Sequence, residues 1–181
     1  MSSSLPDRHQ RLAKVDDQTY DLTVVDGSRK VRFTLDRDVA TSQEGIELLG
    51  LDHPLVQEEL GRWRGLAPEQ LGLSVSSDDI SPTLLSFWIV ESAVANGERR
   101  TTIQTIAVQP DGARMPAIER QSAQYLNALV AKPFLTAEER LELFRNVVEP
   151  TLQRELKHKG LATGDGSYSA ELIGYVEISG R

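Results

Sequence analysis

The stretch "TLLSFWIVESAVANGERRTTIQTIAVQPDG", residues 83–112, carries the strongest fold signal in the chain. Two long runs rich in β-branched and aromatic residues, 84–94 and 99–109, flank the pair Asn96-Gly97. That pair is a strong hairpin signal, because Gly accepts the positive φ that a tight turn needs. The first run is apolar on both faces, which is typical of a central strand covered on both sides. We therefore expect a long hairpin whose first strand lies inside a sheet.

A second hairpin and a last strand extend this picture. Residues 20–25 and 30–35 flank Asp26-Gly27, another hairpin signal. The second of these runs alternates between an apolar and a basic face, which predicts a half-buried strand; the apolar residues are Val31, Phe33 and Leu35, and the others are Lys30, Arg32 and Thr34. Residues 168–179 predict the last strand, in which Gly174 marks a bulge or a close backbone approach.

The remaining segments have helical or loop character. Residues 37–72, 116–131 and 136–159 predict helices, and Thr136 with Glu139 fits a capping box. Pro150 predicts either a kink or a restart of the last helix. Residues 74–82 predict a polar loop. The order of elements predicts an α+β fold, in which a mainly antiparallel twisted sheet built from hairpins carries packed helices.

The same patterns predict the domain organisation. Residues 1–17 are polar and predict a flexible N-terminal segment that forms at best a short helix. Residues 18–181 predict a single α+β domain, whose C-terminal helical part covers about residues 116–160.

Composition limits the function classes. The chain has 181 residues, 39% of them hydrophobic and 26% charged, and a net charge of −7. This charge argues against a whole-surface grip on nucleic acid but leaves a local basic patch open. The absence of Cys excludes disulfides, Cys-based zinc sites and thiol nucleophiles. No apolar run or signal-like N-terminus is present, so we expect a cytoplasmic protein without membrane contact.

The tripeptide Asp52-His53-Pro54 is the one candidate for chemistry, and it has two interpretations. His53 oriented by Asp52 would be a general base, which would make the chain a small hydrolase. Alternatively Asp52 or His53 is the N-cap of a helix that has Pro54 in its first turn. We favour the cap, because adjacent side chains do not naturally point at each other and no nucleophile motif is present. Val56, Leu60 and Trp63 then share one helical face.

Other chemical sites are not indicated by the sequence. The three His residues (His9, His53 and His158) have no metal-ligand spacing, so no metal site is predicted. No phosphate-binding loop, dinucleotide fingerprint or nucleophile elbow occurs, so we expect no cofactor and no catalytic residue.

Basic and aromatic residues provide candidates for binding. Five cations could contact nucleic acid, although solvated strand faces and hairpin tips are the favoured interpretation; they are Arg29, Lys30, Arg32, Arg99 and Arg100. Trp63 and Trp88 could stack on bases, but Trp residues in such positions more often belong to a core or an interface.

Two segments carry a resemblance to a known family. "VRFTLDRDVATSQEGIELLGLDHPLVQEELGRWRG" and "LLSFWIVESAVANGERRTTIQTIAVQPDGARMPAIERQSAQ" resemble the region C-terminal to the motor in bacterial Swi/Snf-type helicase-like ATPases. These include relatives of the ATPase that recycles RNA polymerase and helicase-like components of phage-defence systems. The resemblance covers residues 30–124, and Asp52, His53 and Pro54 form its clearest mark.

The resemblance implies a non-catalytic role. The family's phosphate loop and acidic box lie in motor lobes that this chain does not contain, so no catalytic residue carries over. The implied function is an accessory or regulatory domain that binds a helicase-like motor or an RNA polymerase-type protein. Its alternatives are a nucleic-acid-binding module, which uses the basic strands and a Trp, and the small hydrolase. The sequence leaves the oligomeric state open.

Overall fold

The computed structural model describes residues 10–24, 30–78, 80–93, 99–126, 128–162 and 168–180. The chain divides into two compact units, Met1–Gly61 and Arg62–Arg181, and each unit builds a sheet of its own. The α+β class is confirmed, with mostly antiparallel sheets and packed helices. The sequence predicted a single α+β domain over residues 18–181, whereas the structure divides into these two units. Both predicted turn pairs, Asp26-Gly27 and Asn96-Gly97, lie outside the described residues.

The first unit has a four-stranded sheet in the order β1-β2-β3-β4. Its strands are β1 (Gln10–Lys14), β2 (Thr19–Val24), β3 (Lys30–Thr34) and β4 (Glu47–Leu48). The β1–β2 and β2–β3 pairs are antiparallel, whereas β3 and β4 are parallel. Residues 10–14, expected to be flexible or helical, thus form a strand, because their backbone pairs with β2 over five residues.

The predicted alternation of buried apolar and exposed basic side chains in β3 is confirmed up to Phe33. Val31 and Phe33 are buried, and the ring of Phe33 stacks on Tyr20 at 5.6 Å between centroids. Leu35 departs from the predicted apolar face and is 68% exposed. The strand ends at Thr34, and Asp36 then caps helix α1 (Arg37–Ser42) by accepting the Asp38 N–H at 2.8 Å.

The predicted helical stretch at residues 37–72 contains several short elements. After α1 and β4 come helix α2 (Pro54–Arg64) and a 3-10 turn (Pro68–Leu71). No residue of α2 is fully buried: Val56 and Leu60 are half-buried and Trp63 is exposed. The predicted apolar face of this helix is therefore only partly covered.

The second unit has a five-stranded sheet in the order β7-β6-β9-β5-β8. Its strands are β5 (Gly72–Ser77), β6 (Thr83–Ala93), β7 (Arg99–Val108), β8 (Leu129–Val130) and β9 (Tyr168–Gly180). The prediction of a polar loop for residues 74–82 is wrong over residues 74–77. This segment forms most of β5, because its backbone pairs with β9 on one side and with β8 on the other.

Strand β6 is the expected central strand. It pairs antiparallel with β7 and β9, and both of its faces are buried. The β6–β9 register shifts between Phe87 and Trp88, whose partners are Gly174 and Leu172, so the bulge predicted near Gly174 is present at this point.

Helices cover both faces of the five-stranded sheet. One face packs against a continuous helical run made of α5 (Ala137–Leu143), a π turn (Phe144–Val148) and α6 (Glu149–His158). The other face packs against α3 (Pro116–Arg120) and α4 (Ser122–Tyr125), so the helix predicted for 116–131 is two short helices followed by β8.

The helical run begins and continues as its sequence requires. Thr136 and Glu139 form the predicted capping box at the start of α5. Pro150 lies in the first turn of α6, directly after the π turn. Proline lacks an N–H and crowds the carbonyl four residues earlier, and the irregularity of this helical run, the π turn, lies directly before it.

Candidate functional site

His53 is the N-cap of helix α2. The helix begins at Pro54, and the Nδ1 atom of His53 accepts the Leu55 N–H at 3.2 Å. The His53 backbone carbonyl also accepts the first helical hydrogen bond, from Gln57 at 3.0 Å. Pro54 occupies the position where a missing N–H costs nothing. Of the two alternatives for the cap, the structure thus selects His53 over Asp52.

Both nitrogens of the His53 ring are engaged. The Nδ1 atom accepts a backbone N–H, so the Nε2 atom carries the proton and donates to Glu47 Oε2 at 2.7 Å. The His53 side chain is buried, whereas that of Glu47 is 57% exposed. No ring nitrogen is left to accept a proton from a substrate, so this arrangement is that of a structural histidine.

Asp52 does not orient His53 in the described hydrogen bonds. The residue is exposed, and its Oδ1 atom lies so close to Gly50 that a Cβ built there would be 2.7 Å away. A side chain at position 50 would therefore require the exposed Asp52 carboxylate to move.

The two cations on the basic face of β3 share one carboxylate. Arg32 donates to Asp21 through two nitrogens, at 2.8 and 3.1 Å, and Lys30 lies 2.9 Å from the same group. The Arg32 guanidinium and then the Lys30 ammonium hold the pKa of Asp21 well below its usual range. These two predicted nucleic-acid contacts are therefore paired within their own sheet.

The other three predicted cations differ in their situation. Arg29 lies outside the described residues. Arg99 and Arg100 are exposed at the start of β7, in the second unit. Of the five candidates, this pair alone is described as exposed and without a carboxylate partner in the described residues.

The two tryptophans have opposite environments. Trp88 is buried, packs edge-to-face on Phe144 at 6.2 Å between ring centroids, and donates its indole N–H to Ser86 Oγ at 2.9 Å. It is a core residue and presents no face for stacking on a base or for an interface. Trp63 is 43% exposed, which leaves its interface prediction open.

A groove follows one edge of the five-stranded sheet. Strand β7 is an edge strand, and a pocket of about 500 Å³ opens beside its residues 103–105. Helix α3 and the turn before it line one wall, and α6 lines the other; the wall residues are Arg114, Pro116, Glu119, Arg120, Glu155 and Lys159. We call this the β7 groove, and we define it by these residues together with residues 103–105.

Arg114 organises the end of the β7 groove. It donates to Glu119 at 2.9 and 2.8 Å and to Glu155 at 2.5 Å, which ties the turn before α3 to α6. The Arg114 hydrogen bond is also the main cause that lowers the pKa of Glu155. Glu119 in turn accepts the Ala107 N–H at 3.1 Å. Both carboxylates are thus used inside the wall.

The remaining charges of the groove wall are positive. Lys159 Nζ donates to Gln104 Oε1 at 2.7 Å and lies 3.3 Å from Glu155, and its side chain is 45% exposed. An ammonium has three donors, so one is left for solvent or a ligand. Arg120 is exposed. Arg99 and Arg100 lie at the start of β7, the strand whose residues 103–105 line the groove.

A buried ion pair lies elsewhere in the second unit. Arg140 donates to Glu177 at 2.6 Å, and Glu177 also accepts the backbone N–H groups of Phe134 and Leu135. The Arg140 guanidinium lies over the ring of Tyr175, and burial raises the pKa of that phenol. Every donor aimed at this carboxylate belongs to the fold, so the pair anchors the start of α5.

An apolar patch is exposed at the opposite edge of the sheet. Leu126, Leu129 and Val130 are 52%, 64% and 79% exposed, and the last two form the edge strand β8. We call these three residues the β8 patch. Three large apolar side chains are thus exposed within five residues of the chain.

Metal-binding clusters and membrane-spanning helices are both missing from the described part of the chain. No group of three or more His, Asp or Glu side chains is placed to hold a metal ion there. None of its helices is long and apolar enough to cross a membrane.

Sequence reasoning missed both the groove and the patch. The groove depends on which edge of β7 is left without a partner, and on helices more than ten residues away in sequence. The signal that was available is the pattern "RRTTIQT" in residues 99–105, which is more polar and basic than a strand with both edges paired. The β8 patch was hidden inside a predicted helix.

Comparison with known proteins adds no family. The sequence matches no family model and no curated protein. The resemblance to the Swi/Snf-type accessory region therefore rests on the motifs quoted above.

Proposed function

We propose that this chain is a non-catalytic accessory domain that acts by binding another protein. Its partner is a Swi/Snf-type helicase-like motor or an associated RNA polymerase-type protein, and it works in the cytoplasm. The β8 patch carries the proposal, because three large apolar side chains exposed together favour coverage by a protein. The engaged ring nitrogens of His53 support a role without chemistry. The motif resemblance over residues 30–124 supplies the identity of the partner.

The nucleic-acid alternative has less support. Lys30 and Arg32 share the carboxylate of Asp21, and Trp88 is buried. Among the described candidates, the exposed residues Arg99, Arg100 and Trp63 remain in its favour, and two cations give a weak salt dependence of binding. A titration with single- and double-stranded DNA at low salt tests this alternative, and submillimolar binding that weakens steeply with salt would replace our proposal.

Co-purification with a motor tests the proposed function. The full chain is expressed with the helicase-like motor protein from the same genome, and the complex is quantified by size-exclusion chromatography and calorimetry. We expect a stable complex, which the double substitution Leu129→Glu, Val130→Glu weakens by about tenfold or more. Leu141→Glu is the matched control, because Leu141 is 49% exposed on α5 and outside the patch.

The outcomes separate clearly. A wild-type chain that fails to bind the motor at micromolar concentrations would refute the accessory role. Equal weakening by the patch and control variants would assign the effect to general solubility and remove the β8 patch as the docking surface.

A further inference from the structure

We propose that residues 101–105 of β7 are a binding site for an extended acidic peptide segment, which adds to the five-stranded sheet as a sixth strand. The inference rests on the proposed function only in that the bound partner is a protein. It concerns the β7 groove, at the opposite edge of the sheet from the β8 patch.

The direction of the backbone groups in β7 carries the first step. Ala107 points its N–H and C=O away from β6, because they bond to Glu119 and to the Met115 N–H. The β6–β7 register has no irregularity over ten residue pairs. Since orientation alternates along an antiparallel strand, the N–H and C=O groups of Thr101, Ile103 and Thr105 also point outward.

These outward groups have no partner in the described parts of the chain. Strand β7 is at the edge of the sheet, and no described backbone or side chain bonds to the outward N–H or C=O of Thr101, Ile103 or Thr105. Three residues with one donor and one acceptor each offer the complete ladder of a short added strand. An extended peptide satisfies such an edge through its main chain.

The shape of the groove fits one strand. Its wall helices flank residues 103–105 and leave about 500 Å³ between them. Ile103 is 50% exposed at this place, so an apolar side chain is available for an alternate residue of the peptide. The groove is thus walled on both sides where the edge is open.

Charge complementarity selects an acidic segment. The carboxylates of the wall, Glu119 and Glu155, are 8% and 17% exposed and are bound by Arg114. The exposed charges along the edge are Arg120, Lys159 and the pair at residues 99–100. Glu91, the cross-strand neighbour of Thr101, is half-buried. The surface that meets the peptide is therefore cationic in a chain whose net charge is −7.

A second copy of this chain fits the edge less well. Antiparallel pairing of two β7 strands centred on Ile103 would place Arg99 of one copy opposite Ala107 of the other. The outward groups of Ala107 are already bonded to Met115 and Glu119. DNA would use the cations and leave the outward backbone groups without partners.

The binding experiment uses two fluorescein-labelled, capped seven-residue peptides with the full chain. One peptide alternates Val with Glu, and the other alternates Val with Lys. By fluorescence polarisation we expect the Glu peptide to bind at least about tenfold more tightly than the Lys peptide. Ile103→Pro removes an outward N–H without breaking the β6 ladder, and it should abolish binding. Ile103→Thr, which keeps the N–H, should change affinity by less than about threefold.

Amide exchange measured by NMR supplies a signature that electrostatic attraction alone does not give. The Glu peptide should protect the amides of Thr101, Ile103 and Thr105 and leave those of Thr102 and Gln104 unchanged. Binding with no such alternation, competition by single-stranded DNA, or self-association without peptide would each overturn the proposal. Failure of the wild-type chain to bind the motor, with peptide binding intact, would refute the proposed function alone.

Discussion

The outer edge of β7 has a closed half and an open half. At Ala107 the chain covers its own strand: Met115 donates to the carbonyl oxygen, and Glu119 accepts the N–H. At residues 101–105 the same strand keeps its outward groups without a partner in the described chain. We infer from this difference that the fold needs its edge sealed only where α3 packs. The other half, residues 101–105, runs beside the walls of the β7 groove, and its outward N–H and C=O groups are available to another chain.

Proline substitution gives the sharpest contrast within the open half. Thr102 faces its N–H toward β6 and Thr101 faces it outward, so the two neighbours form a matched pair. Thr102→Pro should lower the free energy of unfolding by about 3 kcal/mol, because it removes a ladder hydrogen bond. Thr101→Pro should cost less than about 1 kcal/mol. Urea denaturation measures both, and equal costs would show that the outward groups are not open.

Removing a contact that covers the closed half should have the next largest effect on the free energy of unfolding. Glu119→Ala removes the acceptor of the Ala107 N–H and the bidentate partner of Arg114, and should cost about 2 kcal/mol. Glu119→Gln keeps an acceptor for Ala107 and should cost less. If calorimetric unfolding shows no loss for Glu119→Ala, the closed half is not held by this carboxylate.

The pH dependence of stability should report Glu155 in the wall. The Arg114 hydrogen bond lowers the folded-state pKa of this carboxyl below its ordinary value of 4.5. Its contribution is therefore complete above about pH 4.5 and is lost as the pH falls through the lowered folded-state pKa. Glu155→Gln should flatten the fall in melting temperature in this window. Glu142→Gln, at an exposed residue of α5, supplies the matched control for the loss of one carboxylate.

The smallest effect should come from the exposed apolar residue of the open half. Ile103→Thr should change the free energy of unfolding by less than about 0.5 kcal/mol, because the side chain is half exposed and the strand keeps all its hydrogen bonds. Ile103 lies opposite Ile89, which is buried, so Ile89→Thr provides the contrast and should cost several times more. Similar costs at the two positions would mean that Ile103 is covered.

Local sequence patterns correctly predicted the elements whose formation depends on residues close together in the sequence. The runs around residues 84–94 and 99–109 give β6 and β7, and Thr136 with Glu139 gives the cap of α5. The start of α2 at Pro54 also followed from its cap. In each of these cases the turn or capping chemistry lies within a few residues of the element.

The features that the sequence did not predict depend on pairing between segments that are far apart in the chain. Residues 74–77 have little strand character, and they form a strand because β9, about one hundred residues later, pairs with them. The open half of β7 is likewise defined by strands and helices that end before it. Only the polar and basic composition of residues 99–105 indicated an edge strand, and this composition alone does not locate a groove.

Amide hydrogen exchange in the peptide-free chain is the decisive measurement, because it compares the two halves of one strand. Exchange is measured by NMR at each residue from 99 to 108. We expect Thr101, Ile103 and Thr105 to exchange at least about a hundredfold faster than Thr102, Gln104 and Ala107. Uniform protection along β7 would show that the edge is already covered, and would contradict an open half.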